Sequence, residues 1–311
     1  MVLYVIGHKK PDTDSIVAAI AYAKFKRILG IEAEPRRAGE LNPETKYVME
    51  KFNVEPPKLM ESAEGKELVL VDHNEPSQMV NGYEKAKIRE IIDHHRLGGF
   101  VTSEPIFVHI EPVGSTSTII ASWFKERGFE IDKTLASLML SAILSDTVIF
   151  RSPTCTDKDR AIAEELATIA GIKDVEKLGI EMFKAKSRLA EKSARDIILT
   201  DFKEYVFKGV RVGIGQVETV DLSELEPRLS EILNEMETVR KERGYNMLIM
   251  MLTDILKKGS LLLYSADKEE WFHRALSTIS MERRGDRIFY APGVMSRKKQ
   301  IVPPLAEYFR G

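Results

Sequence analysis

Short apolar runs alternate with longer stretches of helical periodicity through the first half of the chain. Strands are predicted at 2–6, 67–71, 88–92 and 106–110, and helices at 15–29, 115–127 and 135–144. Strands that alternate with helices in this way are typical of a parallel sheet whose crossover helices cover its faces. The first half therefore predicts an α/β domain built on a parallel sheet.

The pattern changes in the second half. Residues 159–192 have helical and increasingly charged periodicity, and 184–194 lack a large apolar face, which favours a flexible linker. Strands at 197–207 and 210–217, a helix at 222–243 and strands at 247–252 and 260–264 predict a smaller α+β domain. The expected organisation is a metal-binding domain at 1–186, a linker at 187–194 and a substrate-binding domain at 195–311.

Composition narrows the class of protein. The 311 residues are 43 % hydrophobic and 30 % charged, with a net charge of −2 and one cysteine. These values predict a folded cytoplasmic protein and argue against a disulfide framework, a nucleic-acid-binding surface and a membrane span. The first residues lack the basic region of a signal peptide. Abundant Lys and Glu with only nine Asn and Gln predict a heat-adapted protein.

Four of the six histidines lie in three short strings that each begin where a predicted strand ends. The strings are GHKKPDTDS at 7–15, VDHNE at 71–75 and IIDHHR at 91–96. Because ligands of open parallel sheets bind outside the carboxyl ends of the strands, we expect the strings to meet at one crevice. Asp14 could instead cap the first helix, and Asp72 with His73 could form a solvated loop. The three strings taken together favour a ligand-binding site over these structural roles.

Imidazole and carboxylate groups without thiolates suit Mn²⁺, Co²⁺ or Zn²⁺. At least two His and three Asp side chains are more than one ion needs, which favours two ions that share a carboxylate. Such a pair lowers the pKa of a shared water and binds phosphoryl oxygens. Asp146, at the end of a predicted buried helix, is a further candidate ligand.

A basic run, SRKKQ at 296–300, follows the Pro292-Gly293 turn near the carboxyl end. Three consecutive cations could be a solvated surface stretch. Beside a metal centre they would bind phosphate, because Arg offers two parallel donors and Lys a compact charge. Lys203 is a weaker candidate for the same role.

These strings, with LSDT at 144–147, resemble the family II inorganic pyrophosphatases of the Asp-His-His phosphoesterase superfamily in order and spacing. The resemblance implies that Asp72 bridges two ions, one held with His8 and Asp12. It implies that Asp14, His94 and Asp146 complete the second ion's site. Asp93 is expected to orient a ligand histidine through its ring N–H, and the residues implied to contact phosphate are His95, Lys203, Arg297 and Lys298.

The same resemblance implies two Mn²⁺ or Co²⁺ ions per subunit, Mg²⁺ bound with the substrate, and a homodimer formed through the amino-terminal sheet. The smaller domain is expected to close over the metal centre. Lys10 departs from the family pattern, which commonly has Asn beside this proline. The gap between VDHNE and IIDHHR is too short for an inserted nucleotide-sensing module.

The resulting hypothesis is hydrolysis of inorganic pyrophosphate to two orthophosphates by a metal-bridged hydroxide. Asp72 and the four phosphate-contacting residues would form the catalytic group. One alternative is a phosphoesterase of the same superfamily that acts on short polyphosphate or oligonucleotides. A less favoured one is a non-catalytic metal-binding module.

Overall fold

The computed structural model describes residues 2–187, 189 and 191–310 and divides into two compact units at the boundary between Lys186 and Ser187. The linker predicted at 187–194 includes residues 188 and 190, which lie outside the described residues. Each unit contains one six-stranded sheet. In the described part of the chain, no helix is both long enough and apolar enough to cross a bilayer.

The sheet of the first unit is entirely parallel, as predicted, with the strand order β3-β2-β1-β4-β5-β6. Its strands are β1 Leu3–Ile6, β2 Ala33–Arg37, β3 Lys58–Leu59, β4 Glu67–Val71, β5 Lys87–Asp93 and β6 Phe107–Ile110. Its helices are α1 Thr13–Ile28, α2 Pro43–Lys51, α3 Thr116–Glu126, α4 Lys133–Asp146, α5 Asp157–Ala170 and α6 Val175–Ser187. The predicted α/β class is confirmed.

The strand order places the predicted site loops next to one another. The chain runs outward from β1 to β3 and then returns to the other side of β1 with β4, so β1 and β4 flank a switch point. At such a point the connections leave the sheet in opposite directions and open a crevice at the carboxyl ends. The strings after β1, β4 and β5 therefore reach one edge.

An unusual backbone segment follows α4. Val148, Ile149 and Phe150 have φ angles of +49°, +52° and +61°, a left-handed conformation that β-branched residues rarely adopt. The Thr147 hydroxyl accepts a hydrogen bond from the Phe150 amide at 3.1 Å. The Ile149 side chain packs against Gly179 of α6, where an added Cβ would lie 2.6 Å from Ile149 Cγ1.

The second unit has a mixed sheet in the order β11-β12-β10-β9-β8-β7, with β8 and β9 parallel and the other pairs antiparallel. Its strands are β7 Lys203–Phe207, β8 Val210–Thr219, β9 Met247–Asp254, β10 Gly259–Ala266, β11 Glu282–Gly285 and β12 Ile288–Pro292. Its α-helices are α7 Ala194–Leu199, α8 Leu229–Glu242, α9 Glu269–Ala275 and α10 Val302–Arg310, the last preceded by a π-helical turn at Arg297–Ile301.

Strand β9 explains why this sheet needs helices on both faces. Every residue of β9 is buried, and alternate side chains enter two separate cores. Leu248 and Met250 pack in the core that contains residues of α7 and α8, whereas Ile249 and Met251 pack in the core that contains Phe272 of α9. A strand covered on both faces has a continuous apolar sequence, as MLIMML shows.

Two sequence predictions in this unit are wrong. The first part of the strand predicted at 197–207 is helix α7, because Ser193 caps the helix by accepting the Asp196 amide and the helix buries Ile197 and Ile198 together. The helix predicted at 222–243 begins only at Leu229. Two short 3-10 turns, Leu222–Glu224 and Glu226–Arg228, replace its first part, because Pro227 lacks an amide hydrogen for the helical ladder.

Candidate metal centre and phosphate-binding residues

Asp72 lies at the middle of the candidate metal centre. It follows β4 with a φ of +62° and is 1 % exposed. Its Oδ2 lies 3.5 Å from His8 Nε2, and its Oδ1 lies 3.3 Å from His94 Nε2. One carboxylate thus faces an imidazole on each side, as a group that bridges two ions would.

Three sets of potential ligand atoms include this carboxylate. One of them joins it to His94 and His95, and the other two contain the ligands that the resemblance implies. His8, Asp12 and Asp72 form one set, and the atoms of each set lie within 4.8 Å of one another. The other set adds Asp14, His94 and Asp146 to Asp72. The structure therefore brings together all six residues that the resemblance implies as ligands.

The amino terminus of α3 holds Asp14 in place. Asp14 accepts hydrogen bonds from the Ser115 hydroxyl at 2.8 Å, the Thr116 amide at 2.7 Å and both the amide and the hydroxyl of Ser117. The Thr116 hydroxyl donates to Asp72 Oδ1 at 3.0 Å. A helix amino terminus favours nearby negative charge, so α3 stabilises a buried carboxylate that would otherwise be costly.

The orientation of the histidines differs in part from the expectation. His94 Nδ1 lies 2.9 Å from the Val113 carbonyl oxygen, so its Nε2 is left to face the carboxylates. The prediction that Asp93 orients a ligand histidine is wrong for this ring. Asp93 instead contacts His95 Nδ1 at 2.8 Å. The reason is that the His94 ring contacts the Val113 carbonyl before α3, whereas the His95 ring contacts Asp93, the last residue of β5. His95 is half exposed, and Asn74 holds Asp93 through Oδ2 at 2.6 Å.

The crowding of acidic groups shifts their pKa values. Burial, with the charge of Asp72, raises the pKa of Asp14 to about 6. Burial and the charges of Asp14, Asp12 and Asp72 raise the pKa of Asp146 well above its usual range. Burial would also raise the pKa of Asp72, but its contacts with His8 and His94 outweigh burial and lower it.

The pKa values of two histidines at this edge are raised as well. Burial disfavours the charged imidazole of His8, yet its contacts with Asp12 and Asp72 raise the pKa of His8 to about 10. The same balance between burial and Asp72 raises the pKa of His94 to about 9. These raised pKa values show that carboxylates crowd this edge and favour the uptake of positive charge there.

The donor set fits divalent ions. Asp72 Oδ2 and His94 Nε2 are buried, and neither has a hydrogen-bond partner within the described residues. Buried polar atoms without a partner are costly, and both of these atoms face the shared cluster. Oxygen and imidazole ligands without sulfur suit an ion of borderline hardness such as Mn²⁺.

Two of the predicted phosphate-binding cations of the second unit, Lys203 and Arg297, each lie next to Ile214 of β8. Lys203 is exposed and pairs in register with Ile214, and Arg297 Nη1 donates to the Ile214 carbonyl at 3.3 Å. Lys298 is exposed. Arg297 is 8 % exposed, and its Nη2 lies 3.1 Å from Asp201 Oδ2.

Sequence reasoning missed several residues that support this edge. Among them are Ser115, Thr116 and Ser117, which follow the Gly114 turn. A strand-to-helix turn at the same edge of the sheet could have indicated that these amides and hydroxyls bind an anionic group. Glu44, which is fully buried beside Thr13, carried no such signal because α2 was not predicted.

Comparisons with known proteins agree with this geometry. Residues 2–143 match the DHH family, N-terminal domain, and residues 180–308 match the DHHA2 domain. The chain is 48 % identical to the manganese-dependent inorganic pyrophosphatase of Methanothrix thermoacetophila, over 99 % of this chain and 98 % of the relative. The chain belongs to the manganese-dependent inorganic pyrophosphatases.

Other members of the manganese-dependent inorganic pyrophosphatases match equally completely. The one from Methanocaldococcus jannaschii is 46 % identical over 99 % of both chains. A crystal structure of a Methanococcus jannaschii putative family II inorganic pyrophosphatase superposes with a TM-score of 0.61 at 44 % identity, covering 99 % of this chain and 100 % of that one. The family and the two-domain architecture implied by the sequence are therefore confirmed.

Proposed function

We propose that this protein hydrolyses inorganic pyrophosphate to two orthophosphates at a two-metal centre. The observation that carries the proposal is the shared position of Asp72 between two sets of ligand atoms. Relatives at 48 % and 46 % identity over nearly their full length are named manganese-dependent inorganic pyrophosphatases. The same arrangement favours hydrolysis over simple metal storage, because a pair of ions with a common ligand activates water toward phosphorus.

The proposed ligands follow the two sets. His8, Asp12 and Asp72 would hold one Mn²⁺, and Asp72 would join the second set for the other. The second set is completed by Asp14, His94 and Asp146. Co²⁺ is the alternative metal, since the same ligands accept both ions.

When bound, the ions supply a water of lowered pKa and neutralise charge on the attacked phosphoryl group. The chain's own residues do the rest. Asp72 would be a ligand at both ion sites, and Asp93 holds the ring of His95 through Nδ1, which leaves Nε2 out of that contact. We propose that His95, Lys203, Arg297 and Lys298 donate to phosphate oxygens and stabilise the negative charge of the leaving phosphate.

Further parts of the proposal concern the cell and the assembly. Mg²⁺ would accompany the substrate. A homodimer through the amino-terminal sheet is supported by β6, which ends the sheet and exposes Phe107 and Val108. Sedimentation at two protein concentrations tests the dimer. The cytoplasmic location and heat adaptation expected from composition stay predictions.

Metal add-back tests the central proposal. Protein stripped with a chelator is mixed with Mn²⁺, Co²⁺, Zn²⁺ or Mg²⁺ one at a time, and phosphate release from pyrophosphate is measured with Mg²⁺ present. We expect the largest restoration with Mn²⁺ or Co²⁺. Tripolyphosphate and a dinucleotide serve as comparison substrates. Faster release from either one, or no release with any metal, would overturn the proposal.

A further inference from the structure

Glu44 is a buried carboxylate of the first unit that is not among the proposed metal ligands. Glu44 is the second residue of α2 and is 0 % exposed. Its Oε1 accepts hydrogen bonds from the Thr13 hydroxyl at 2.7 Å and from the Ser145 hydroxyl. Burying a carboxylate costs free energy unless its contacts compensate. If Glu44 only packed α2 against its neighbours, an apolar side chain would do so with a smaller desolvation cost.

The two donors are neighbours of candidate metal ligands. Thr13 stands between Asp12 and Asp14 at the start of α1, and Ser145 immediately precedes Asp146 at the end of α4. A single oxygen atom of Glu44 therefore joins the two backbone segments that carry these three acids.

The second oxygen of Glu44 is also buried. Oε2 has no hydrogen-bond partner among the described residues, and Lys186 Nζ lies 3.7 Å from it. Thr45, the next residue of α2, contacts the Thr13 hydroxyl at 3.2 Å. The start of α2 is thus hydrogen-bonded to the first residue of α1, between two of the candidate ligands. The Glu44 side chain is also hydrogen-bonded to the end of α4.

We infer that Glu44 is a positioning residue that sets the separation between the acids of α1 and Asp146, and through it the affinity for the bound ions. This inference rests on the metal centre of the proposed function. Four acids that converge on one edge repel each other before ions bind, and this repulsion acts on the ends of α1 and α4 that carry three of them. Hydrogen bonds from both helix ends to one oxygen of Glu44 oppose a local displacement of these ends. Groups that orient metal ligands commonly change metal affinity by about 10–100-fold when they are removed.

The test measures Mn²⁺ affinity without substrate, by equilibrium dialysis of chelator-stripped protein. We expect Glu44→Ala to weaken Mn²⁺ binding by about 10–100-fold. Glu44→Gln retains an acceptor oxygen and should recover part of the affinity. Thr13→Val and Ser145→Ala each remove one donor and should weaken binding in the wild type, with little further effect in the Glu44→Ala background.

Glu50→Gln is the matched control, because it makes the same change at an exposed position of the same helix. It should leave Mn²⁺ affinity unchanged. The electron paramagnetic resonance spectrum of bound Mn²⁺ supplies a second readout. A displaced Asp146 would weaken the one ion site that it helps to form, so the signal of a coupled ion pair should give way to that of a single ion. A purely structural role would lower the melting temperature of the metal-free protein without changing either readout.

The outcomes separate this inference from the proposed function. Wild-type protein that binds no Mn²⁺ would overturn both. Wild-type binding that Glu44→Ala, Thr13→Val and Ser145→Ala all preserve would overturn only the role of Glu44. If Glu44→Ala does not fold, the two hydroxyl variants decide the question.

Discussion

Arg297 and Asp201 form an ion pair in which the guanidinium Nη2 lies 3.1 Å and 3.2 Å from the two carboxylate oxygens. Asp201 also accepts from Nη1 through its backbone carbonyl, and the Arg297 side chain is 9 % exposed. The pair holds the guanidinium in one orientation. A phosphate that binds Arg297 therefore competes with Asp201 or binds on the remaining free side of the guanidinium.

Replacing Arg297 should affect substrate binding and stability but not metal binding. Arg297→Ala is expected to raise the KM for pyrophosphate by at least about tenfold, as loss of a charge-assisted hydrogen bond does. It should also lower the free energy of unfolding by about 1–3 kcal/mol, because the buried Ile214 carbonyl loses its donor. Steady-state kinetics, urea unfolding and bound Mn²⁺ check the three effects.

Lys299→Ala is the control for that experiment, since Lys299 is an exposed cation two residues away. It should leave KM and stability close to the wild-type values. An unchanged KM in Arg297→Ala would remove Arg297 from the substrate site. Loss of bound Mn²⁺ in the same variant would show that its effect is indirect.

Asp72→Ala should abolish activity because the shared carboxylate belongs to both ligand sets. We expect phosphate release to fall by at least about 10³-fold and both ions to bind more weakly, since the lost ligand would serve each of them. Asp157→Ala, at an exposed position in the first turn of α5, is the control. Near-normal turnover in purified Asp72→Ala protein would show that the centre lies elsewhere.

The sequence predicted the edge of the first sheet well because the site depends on a rule of parallel sheets. His8, Asp72 and His94 each follow a strand, and adjacent strands bring their carboxyl ends together regardless of sequence separation. The left-handed backbone at Asp72 and the contact of Glu44 with Ser145 arise from tertiary packing. Neither has a local pattern that distinguishes it.

The secondary structure and the cation positions of the second unit were harder to predict from the sequence, for a physical reason. Ile197 and Ile198 are apolar and β-branched, which favours a strand, but both enter one core and the cap at Ser193 selects a helix. The position of Lys203 relative to Arg297 depends on the pairing of β7 with β8 and on the π-helical turn at 297–301. Such long-range register is not encoded in the spacing of charges.

Gly179→Ala should destabilise the first unit although alanine favours helices more than glycine does. The new Cβ would lie 2.6 Å from Ile149 Cγ1 and 2.8 Å from its Cδ1, so the left-handed segment must shift. We expect the free energy of unfolding to fall by about 1–3 kcal/mol, as overpacking of a core commonly causes. Urea unfolding of the metal-free protein measures the change.

A second substitution tests the cause of that loss. Ile149→Ala removes the clashing atoms, so Gly179→Ala should cost far less in the Ile149→Ala background than in the wild type. Equal costs in the two backgrounds would show that the packing of Ile149 on Gly179 does not limit stability.

Glu237 should make the second unit less stable in acid. Its pKa is lowered to about 2 by hydrogen bonds from Arg240 and Ser265. A carboxyl whose folded pKa lies below its unfolded value of roughly 4.3 stabilises the protein fully above that value. The contribution is lost as the pH falls from there toward 2.

Urea unfolding of wild type and Glu237→Gln at pH 6 and pH 3.5 checks this sign. The wild type should be the more stable protein at pH 6, and the difference should shrink at pH 3.5. Glu235→Gln is a comparison on the same helix, where the ion-pair partner is Arg195. A difference that grows in acid would contradict the assignment.

The left-handed run at Val148–Phe150 has a consequence for the nascent chain. It begins two residues after Asp146, and its Ile149 packs against Gly179, which is thirty residues later in the chain. Residues in this conformation persist only where their surroundings hold them. In a ribosome-bound chain that has not yet released α6, this support for the segment after Asp146 is missing, so we expect the ion site that includes Asp146 to form only after the first unit is fully synthesised.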